Sequence, residues 1–252
     1  RCHDDIGWGL DYDYLKQFDC LEVPHKKFLN DFLTGQYPGA FGRGELYNSD
    51  PTSGDARLCG TTASLCGIEK ASWEQNEGAL EQAVRFDIML HGYMFVQSGI
   101  PVLYSGDEIG QLNDYSYHED PDKCQDSRYI HRGRFQWDRA EERKEKGTIQ
   151  NQIFETLGMM EEIRAKYPVF DGQADVWTLD TWDDAILGVG RWLNGEKLIA
   201  LFNFSGQDKV AWINEDDGEY TDLLTGAVME AKGVQIPAYG IWWLYKKFGS
   251  GL

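Results

Sequence analysis

The sequence predicts an α/β region followed by an all-β domain, and three observations support this prediction. Residues 77–98 and 150–166 carry apolar side chains at helical spacing. Between these segments lies "IPVLYSGDEIG", a short apolar run that ends in acidic residues. After residue 170 the chain changes to short strand-like runs that are separated by turn residues. We therefore interpret the chain as the end of an α/β barrel followed by an antiparallel β-sandwich.

The first 70 residues are rich in glycine and proline, as in "TGQYPGAFGRG" and "NSDPTSGDAR", with one helix predicted at about 24–33. A long loop-rich segment in a compact protein is usually functional or disordered. The density of Phe, Tyr and Trp in this segment favours an ordered structure.

The segment 77–110 has the pattern of one β/α unit. The helix over 77–98 is expected to stop at Gly99, and the apolar residues that follow predict a buried parallel strand with acids only at its carboxyl end. The second helix, over 150–166, ends just before Pro168.

The all-β domain is predicted from seven runs, with a domain boundary near residues 168–172. The runs are "ADVWTLD", "AILGVGRWL", "KLIALFNFS", "KVAWINE", "EYTDLLTG", "GVQIPA" and "GIWWLYKK".

Composition excludes several classes of function. The formal net charge is −18, which disfavours binding to nucleic acid and to anionic membranes. There is no apolar run of about 20 residues, the length of a membrane span, and no signal-peptide pattern at the start. The five cysteines are odd in number and lack C-x-x-C spacing, which indicates free thiols in a reducing cytoplasm. No metal site and no cofactor are predicted.

Three motifs, in this order, point to a family. They are "HDDIGW" at the start, "YSGDEIG" after the first long helix, and "DSR…HR" at residues 126–132. Together they resemble the α-amylase superfamily, glycoside hydrolase family 13. The run "PHKKFLNDF…GQYPGAFGRGELYNSDPTSGDARLCGTTASLCG" is similar to the subdomain that amylosucrases and sucrose hydrolases insert after the seventh barrel strand.

The resemblance implies an architecture and a missing part. Residues 1–167 would form the C-terminal portion of a (β/α)8 TIM barrel, with the inserted subdomain at 7–72, and residues 168–248 would form the β-sandwich domain. The chain would begin just after the seventh strand. The N-terminal part of the barrel, with the family's nucleophilic Asp and acid/base Glu, is then expected upstream of residue 1.

The resemblance also implies roles for the acidic residues near the start. Asp4 corresponds to the family's third carboxylate, which stabilises the oxocarbenium-like transition state, and His3 to its neighbour that bonds a glucosyl hydroxyl. Asp5 would help to hold sucrose, although as a bare doublet it also fits simple surface charge.

Three basic residues complete the implied site. Arg57, in "GDAR", matches an arginine on the acceptor side of the scissile bond. Arg128 matches the arginine at the bottom of the glucosyl pocket; because its family partner lies upstream, we expect it to lack an ion pair. Lys26 stands where amylosucrases carry an arginine, and its ammonium lacks the planar donor fork of that residue.

The implied function is that of a retaining α-glucosyl transferase or hydrolase that acts on sucrose and α-glucans, with glucose-containing oligosaccharides as partners. Alternatives are a related α-glucosidase or a sucrose/trehalose isomerase, and, from another class, a non-catalytic carbohydrate-binding module. The chain alone is expected to be inactive, because one carboxyl group cannot supply both catalytic roles, and to be poorly folded where barrel strands lack neighbours.

Overall fold

The computed structural model describes residues 2–50, 52–53, 55–215 and 218–249. The chain divides into two compact units, one of residues 1–84 and 102–152 and one of residues 85–101 and 153–252. Within the described ranges, no helix has the length and apolarity needed to cross a membrane.

The first unit begins with two helices and a small sheet. Helix α1 covers Tyr12–Lys16, and α2 covers Glu22–Leu33. Helix α2 confirms the helix predicted at about 24–33. Strands β1 (Glu45–Tyr47) and β2 (Arg57–Cys59) form an antiparallel pair that the sequence analysis did not predict. Two short helices, α3 (Thr62–Leu65) and α4 (Ile68–Trp73), follow. The segment is therefore ordered, as its aromatic content indicates.

Helix α5 (Glu77–Val96) starts in the first unit and confirms the predicted long helix. It ends just before Gly99, whose φ of +99° is a left-handed value that favours glycine. Single-turn helices at Asp107–Ile109, Tyr115–Glu119 and Ser127–His131 precede α6 (Trp137–Glu141). The last of these turns carries the predicted site residue Arg128.

The predicted parallel strand after Gly99 is absent from the described structure. Residues 101–104 have no regular structure, and Ile100 and Val102 are 92% and 64% exposed. A β-strand needs a hydrogen-bonded neighbour, and none of the described residues pairs with this run. The apolar pattern therefore identified a segment suited to burial in a sheet, but none of the sheets formed by the described residues includes it.

The second unit contains helix α7 (Ile149–Lys166) from residue 153 onward and eight strands. The seven predicted runs are confirmed as strands, and a short strand, β8, was missed. The strands are β3 (Asp175–Leu179), β4 (Ile186–Leu193), β5 (Glu196–Asn203), β6 (Lys209–Trp212), β7 (Glu219–Asp222), β8 (Val228–Glu230), β9 (Lys232–Ile236) and β10 (Ile241–Lys247).

The strands form two antiparallel sheets. Six lie in the order β3-β4-β5-β10-β7-β8, and β6 pairs with β9. One apolar cluster draws on both sheets, with Ile199, Leu201 and Leu244 from the larger and Ala211 and Ile236 from the smaller. The shared core fits the predicted sandwich, whose detailed arrangement stays a prediction.

Strand β5 is buried along its whole length, so both of its faces are covered. Ile199 and Leu201 face the shared cluster, and the alternate residue Phe202 meets Tyr93 of α5 edge-on at 5.6 Å. A strand with two covered faces has a continuous apolar sequence, as "LIALF" does.

Two arginines fix the end of α5 within this unit. Arg191 of β4 is fully buried and donates to the carbonyls of Val96, Val169 and Asp171 at 2.6–2.8 Å. Arg164 of α7 donates to the Gly99 carbonyl at 2.7 Å. These contacts group residues 85–101 and α7 with the strands, whereas the sequence-based boundary near 168–172 stays a prediction about the parent fold.

Candidate active site

The start of the described chain is held against strand β2 by a short backbone bridge. The Ile6 amide donates to the Leu58 carbonyl at 2.7 Å, and the Leu58 amide donates back at 3.0 Å. Leu58 is fully buried, so one of the two residues of the bridge is held by packing. It brings the acidic doublet Asp4-Asp5 beside Arg57, which lies one residue before Leu58.

The carboxylate of Asp4 is held by two guanidinium groups. Its Oδ1 atom lies 3.0 Å from Nη2 of Arg132 and 3.6 Å from Nη1 of Arg128. On the other side, Nε2 of His3 lies 3.4 Å from Oδ2. Half of the Asp4 side chain remains exposed, which leaves the carboxylate accessible to a ligand.

Arg128 has a local ion-pair partner, so the expectation that it lacks one is wrong. Its Nε and Nη2 atoms donate to the two oxygens of Asp126, both at 2.8 Å, and its guanidinium lies over the ring of Tyr47 at 4.6 Å. This bidentate pair raises the pKa of Arg128 and lowers that of Asp126. The prediction failed because Asp126, two residues earlier, turns back onto Arg128 through a single-turn helix that it also caps.

The second acid of the doublet faces a different arginine. Oδ2 of Asp5 lies 3.8 Å from Nε of Arg57, and the Asp5 side chain is only 18% exposed. The guanidinium of Arg57 rests on the backbone of Gly7, where an added Cβ would lie 1.7 Å from Nη1. Gly7 therefore leaves the space that Arg57 occupies, and the doublet is divided between separate arginines.

Two residues that the sequence analysis did not select hold the backbone of His3. Arg132 donates from Nε to the His3 carbonyl at 2.7 Å, and Nε2 of the buried His131 contacts the same oxygen at 3.1 Å. Because Nδ1 of His131 accepts from the Gly60 amide, Nε2 carries the proton and donates. Both residues belong to the motif "DSR…HR", and their spacing from Arg128 on one turn was the available signal.

Lys26 is engaged by acidic residues other than Asp4. Its ammonium lies 3.2 Å from Glu22 and 3.6 Å from Asp55, and the residue is 7% exposed. A hydrogen bond to Tyr12 raises the pKa of Lys26, with a smaller contribution from Glu22. Lys26 therefore links α2 to the loop before β2, the strand that begins at Arg57.

The surroundings of Asp4 do not fit a metal ion. Ligand atoms of Cys2, His3 and Asp4 lie within 4.8 Å of one another. Arg128 and Arg132 already bind Oδ1 of Asp4, however, and the three residues are consecutive and exposed rather than a closed set of ligands. Nearby Cys59 is buried, and burial raises the pKa of its thiol to about 12, so it stays protonated at neutral pH.

This arrangement suits one electrostatic task. A carboxylate that is fixed by charged hydrogen bonds and still half exposed stabilises positive charge that develops on a bound molecule. His3 adds a donor or acceptor beside it. A single carboxylate of this kind does not by itself provide both a nucleophile and a proton donor.

Solved structures with similar folds are enzymes of the α-amylase family. A variant of AmyP in complex with maltotriose superposes with a TM-score of 0.54 at 15% identity, over 67% of this chain and 38% of that one. Pullulanase complexed with maltotetraose, from Anoxybacillus sp. LM18-11, gives 0.50 at 13% identity, over 73% and 26%. Maltogenic amylase from S. marinus gives 0.45 at 22% identity, over 70% and 20%.

These likenesses concern the fold. The chain spans between 20% and 38% of the length of these three proteins and shares at most 22% of its residues with them. No family model matches the chain.

Proposed function

We propose that this chain is the C-terminal portion of a retaining α-glucosyl transferase or hydrolase of the amylosucrase type, which acts on sucrose and α-glucans. One observation supports this proposal most directly: Asp4 is bound by Arg128 and Arg132, whereas the adjacent Asp5 pairs with Arg57. The fold likeness to enzymes whose structures contain maltotriose and maltotetraose supports a glucose-oligosaccharide ligand.

Each residue then has a chemical task. Asp4 stabilises the oxocarbenium-like transition state, and His3 bonds a hydroxyl of the glucosyl ring. Arg128 closes the bottom of the glucosyl pocket. Asp5 and Arg57 contact sugar on either side of the bond that is cleaved.

Lys26 acts at an acceptor subsite in this proposal, and its ion pair with Asp55, two residues before Arg57, supports this role. The attacking carboxylate and the acid/base carboxylate come from another part of the polypeptide. The reaction needs no cofactor, because carboxyl groups carry it. The enzyme works in the cytoplasm, where its five thiols stay reduced.

The test compares the 252-residue chain with the longer polypeptide that contains it. Fructose and glucose release is measured from sucrose, with trehalose, isomaltulose and maltotriose as the other substrates of the panel. We expect no turnover by the short chain, and sucrose turnover by the longer one that falls about a thousandfold or more in Asp4→Asn.

The matched control is Asp13→Asn, an aspartate of α1 whose side chain is 91% exposed and which should leave turnover unchanged. Fructose release by the short chain that is lost in Asp4→Ala would contradict the proposed division of labour. Turnover of trehalose or isomaltulose in place of sucrose would move the specificity to the isomerase or α-glucosidase alternative.

A further inference from the structure

The loop between β3 and β4 exposes a tryptophan on an unfavourable backbone. Trp182 is 76% exposed and has a φ of +58°, in the left-handed region that bulky side chains rarely adopt. Because the indole is exposed, little apolar burial offsets the energetic cost of this backbone conformation. A strained backbone at an exposed residue is an observation that points to function.

The loop holds Trp182 in place rather than leaving it to move. The Trp182 amide donates to Asp180 at 3.0 Å, and the Ala185 amide donates to Asp183 at 2.9 Å. The hydroxyl of the buried Thr181 donates to the Ile186 carbonyl at 2.8 Å. The loop therefore presents the indole from a fixed backbone.

A second exposed tryptophan, Trp212, lies at the end of strand β6. The amide of Trp212, at the end of β6, donates at 3.0 Å to the carbonyl of Thr181, which is the residue before Trp182. Trp212 is 58% exposed, and the β6–β9 register shifts between Ala211 and Trp212. Such a bulge redirects a side chain.

The ring of Trp212 rests on a glycine. An added Cβ on Gly233 of β9 would lie 3.2–3.6 Å from three carbons of the indole. The glycine therefore permits a close approach of the ring to the strand, which supports one side of the indole while much of the residue faces solvent. Trp182 and Trp212 together are called the tryptophan pair below.

Two charged residues lie on the segments that carry the tryptophan pair: Asp183 follows Trp182, and Lys209 begins β6, which ends at Trp212. Asp183 lies 3.1 Å from Nζ of Lys209, and the Ala185 amide and Lys209 both lower the pKa of Asp183. An ionised carboxylate and an ammonium at the rim offer an acceptor and donors for hydroxyl groups.

We propose that the tryptophan pair is a binding site for a linear α-1,4-glucan chain on the β domain. A pyranose ring has an apolar C–H face that stacks on an indole and a polar rim of hydroxyls that Asp183 and Lys209 bind. The net charge of −18 disfavours a polyanion at this surface. A protein partner would require a charge-depleted apolar centre, whereas an ion pair here joins Asp183, the residue after Trp182, to Lys209 of β6, the strand that ends at Trp212.

The choice of an α-glucan as the ligand rests on the proposed function, whereas the site itself rests on the two tryptophans. The experiment is isothermal titration of the 252-residue chain with maltoheptaose, and with cellohexaose as the β-linked comparison. We expect maltoheptaose to bind and its affinity to fall about tenfold or more in Trp182→Ala and in Trp212→Ala. The control is Trp73→Ala on α4, 88% exposed, which should change the affinity less than twofold.

Trp182→Gly separates binding from folding. Glycine accepts a positive φ, so this variant should keep or raise the unfolding midpoint while losing affinity. A lowered midpoint with unchanged affinity would show a structural role and overturn the proposal. Absence of maltoheptaose binding by the unaltered chain, or equal loss in Trp73→Ala, would overturn it as well.

The two proposals can fail separately. The sucrose assay of the longer polypeptide tests Asp4 without requiring the tryptophan pair, and the affinities of Trp182→Ala and Trp212→Ala test the pair without requiring turnover. Preference for cellohexaose would retain the site but remove the α-glucan assignment.

Discussion

The candidate site and the β domain are stabilised by different forces. In the β domain, Leu198, Ile199, Leu201 and Leu244 are fully buried, and apolar contacts specify the structure. Around the candidate site, Asp4, Arg128 and Arg132 are partly exposed, and charged hydrogen bonds and an ion pair join residues that are 124 to 129 positions apart. Apolar burial tolerates imprecise geometry, whereas a charged cluster depends on each donor and acceptor.

The difference shows why one region was predicted better than the other. Alternating and continuous apolar runs report burial directly, so the strands were found. The partner of Arg128 depends on a local turn, and no periodicity records it.

The largest effect is expected in the β-domain core. Leu201→Ala removes a fully buried side chain from the cluster shared by both sheets, and should lower the free energy of unfolding by about 2–5 kcal/mol. Urea denaturation followed by circular dichroism measures this change. Val228→Ala, at a residue that is 60% exposed, is the control and should stay within about 0.5 kcal/mol. Equal effects of the two substitutions would mean that apolar burial does not specify the structure of the β domain.

The next effect concerns the charged cluster. Arg132→Met removes the donors to the His3 carbonyl and to Asp4, and should lower the opening free energy of the Ile6–Leu58 bridge by about 1–2 kcal/mol. Hydrogen exchange at these two amides reports the change. Salt should weaken this bridge in the unaltered chain but not the β5 amides. Insensitivity of the bridge to salt and to Arg132→Met would show that charge does not hold it.

A pH profile sharpens the same comparison. The Arg128 guanidinium lowers the pKa of Asp126 in the folded chain, so the contribution of Asp126 is complete above its unfolded pKa of about 3.9 and is lost as pH falls through the lower folded value. The difference in Ile6 and Leu58 exchange protection between the unaltered chain and Asp126→Asn should therefore shrink below about pH 4.

The control for this profile is Asp122→Asn, an exposed aspartate of the preceding loop, which should change protection little at any pH. A difference that persists unchanged well below pH 4 would mean that Asp126 acts without its charge.

The smallest effect on stability is expected at Gly7. Gly7→Ala places a methyl group where the Arg57 guanidinium lies, but that end of the side chain can move, so the unfolding free energy should change by less than about 1 kcal/mol. Sucrose turnover by the longer polypeptide should nevertheless fall, because Arg57 leaves Asp5. Gly9→Ala is the control, since an added Cβ there meets nothing within 4 Å. Equal turnover of the two variants would separate Arg57 from the proposed site.

The sequence alone determined seven strands of the β domain, the helices α2, α5 and α7, and the acidic doublet Asp4-Asp5. The helices and strands follow from the periodicity of apolar residues and from the positions of glycine and proline. The doublet was selected because three motifs resemble those of the α-amylase superfamily. The short strand β8 and the pair β1–β2 escaped because runs of three residues carry too little periodicity.

Only the tertiary structure decided which charges meet. Asp126 reaches Arg128 through a local turn of the backbone. The contacts of Arg132 and His131 with His3, and of Lys26 with Asp55, join residues that are distant in the chain. Residues 101–104 also show what the sequence does not decide. Their apolar pattern predicts a buried strand, but a strand forms only where a neighbouring strand supplies its hydrogen bonds, and these residues have no regular structure.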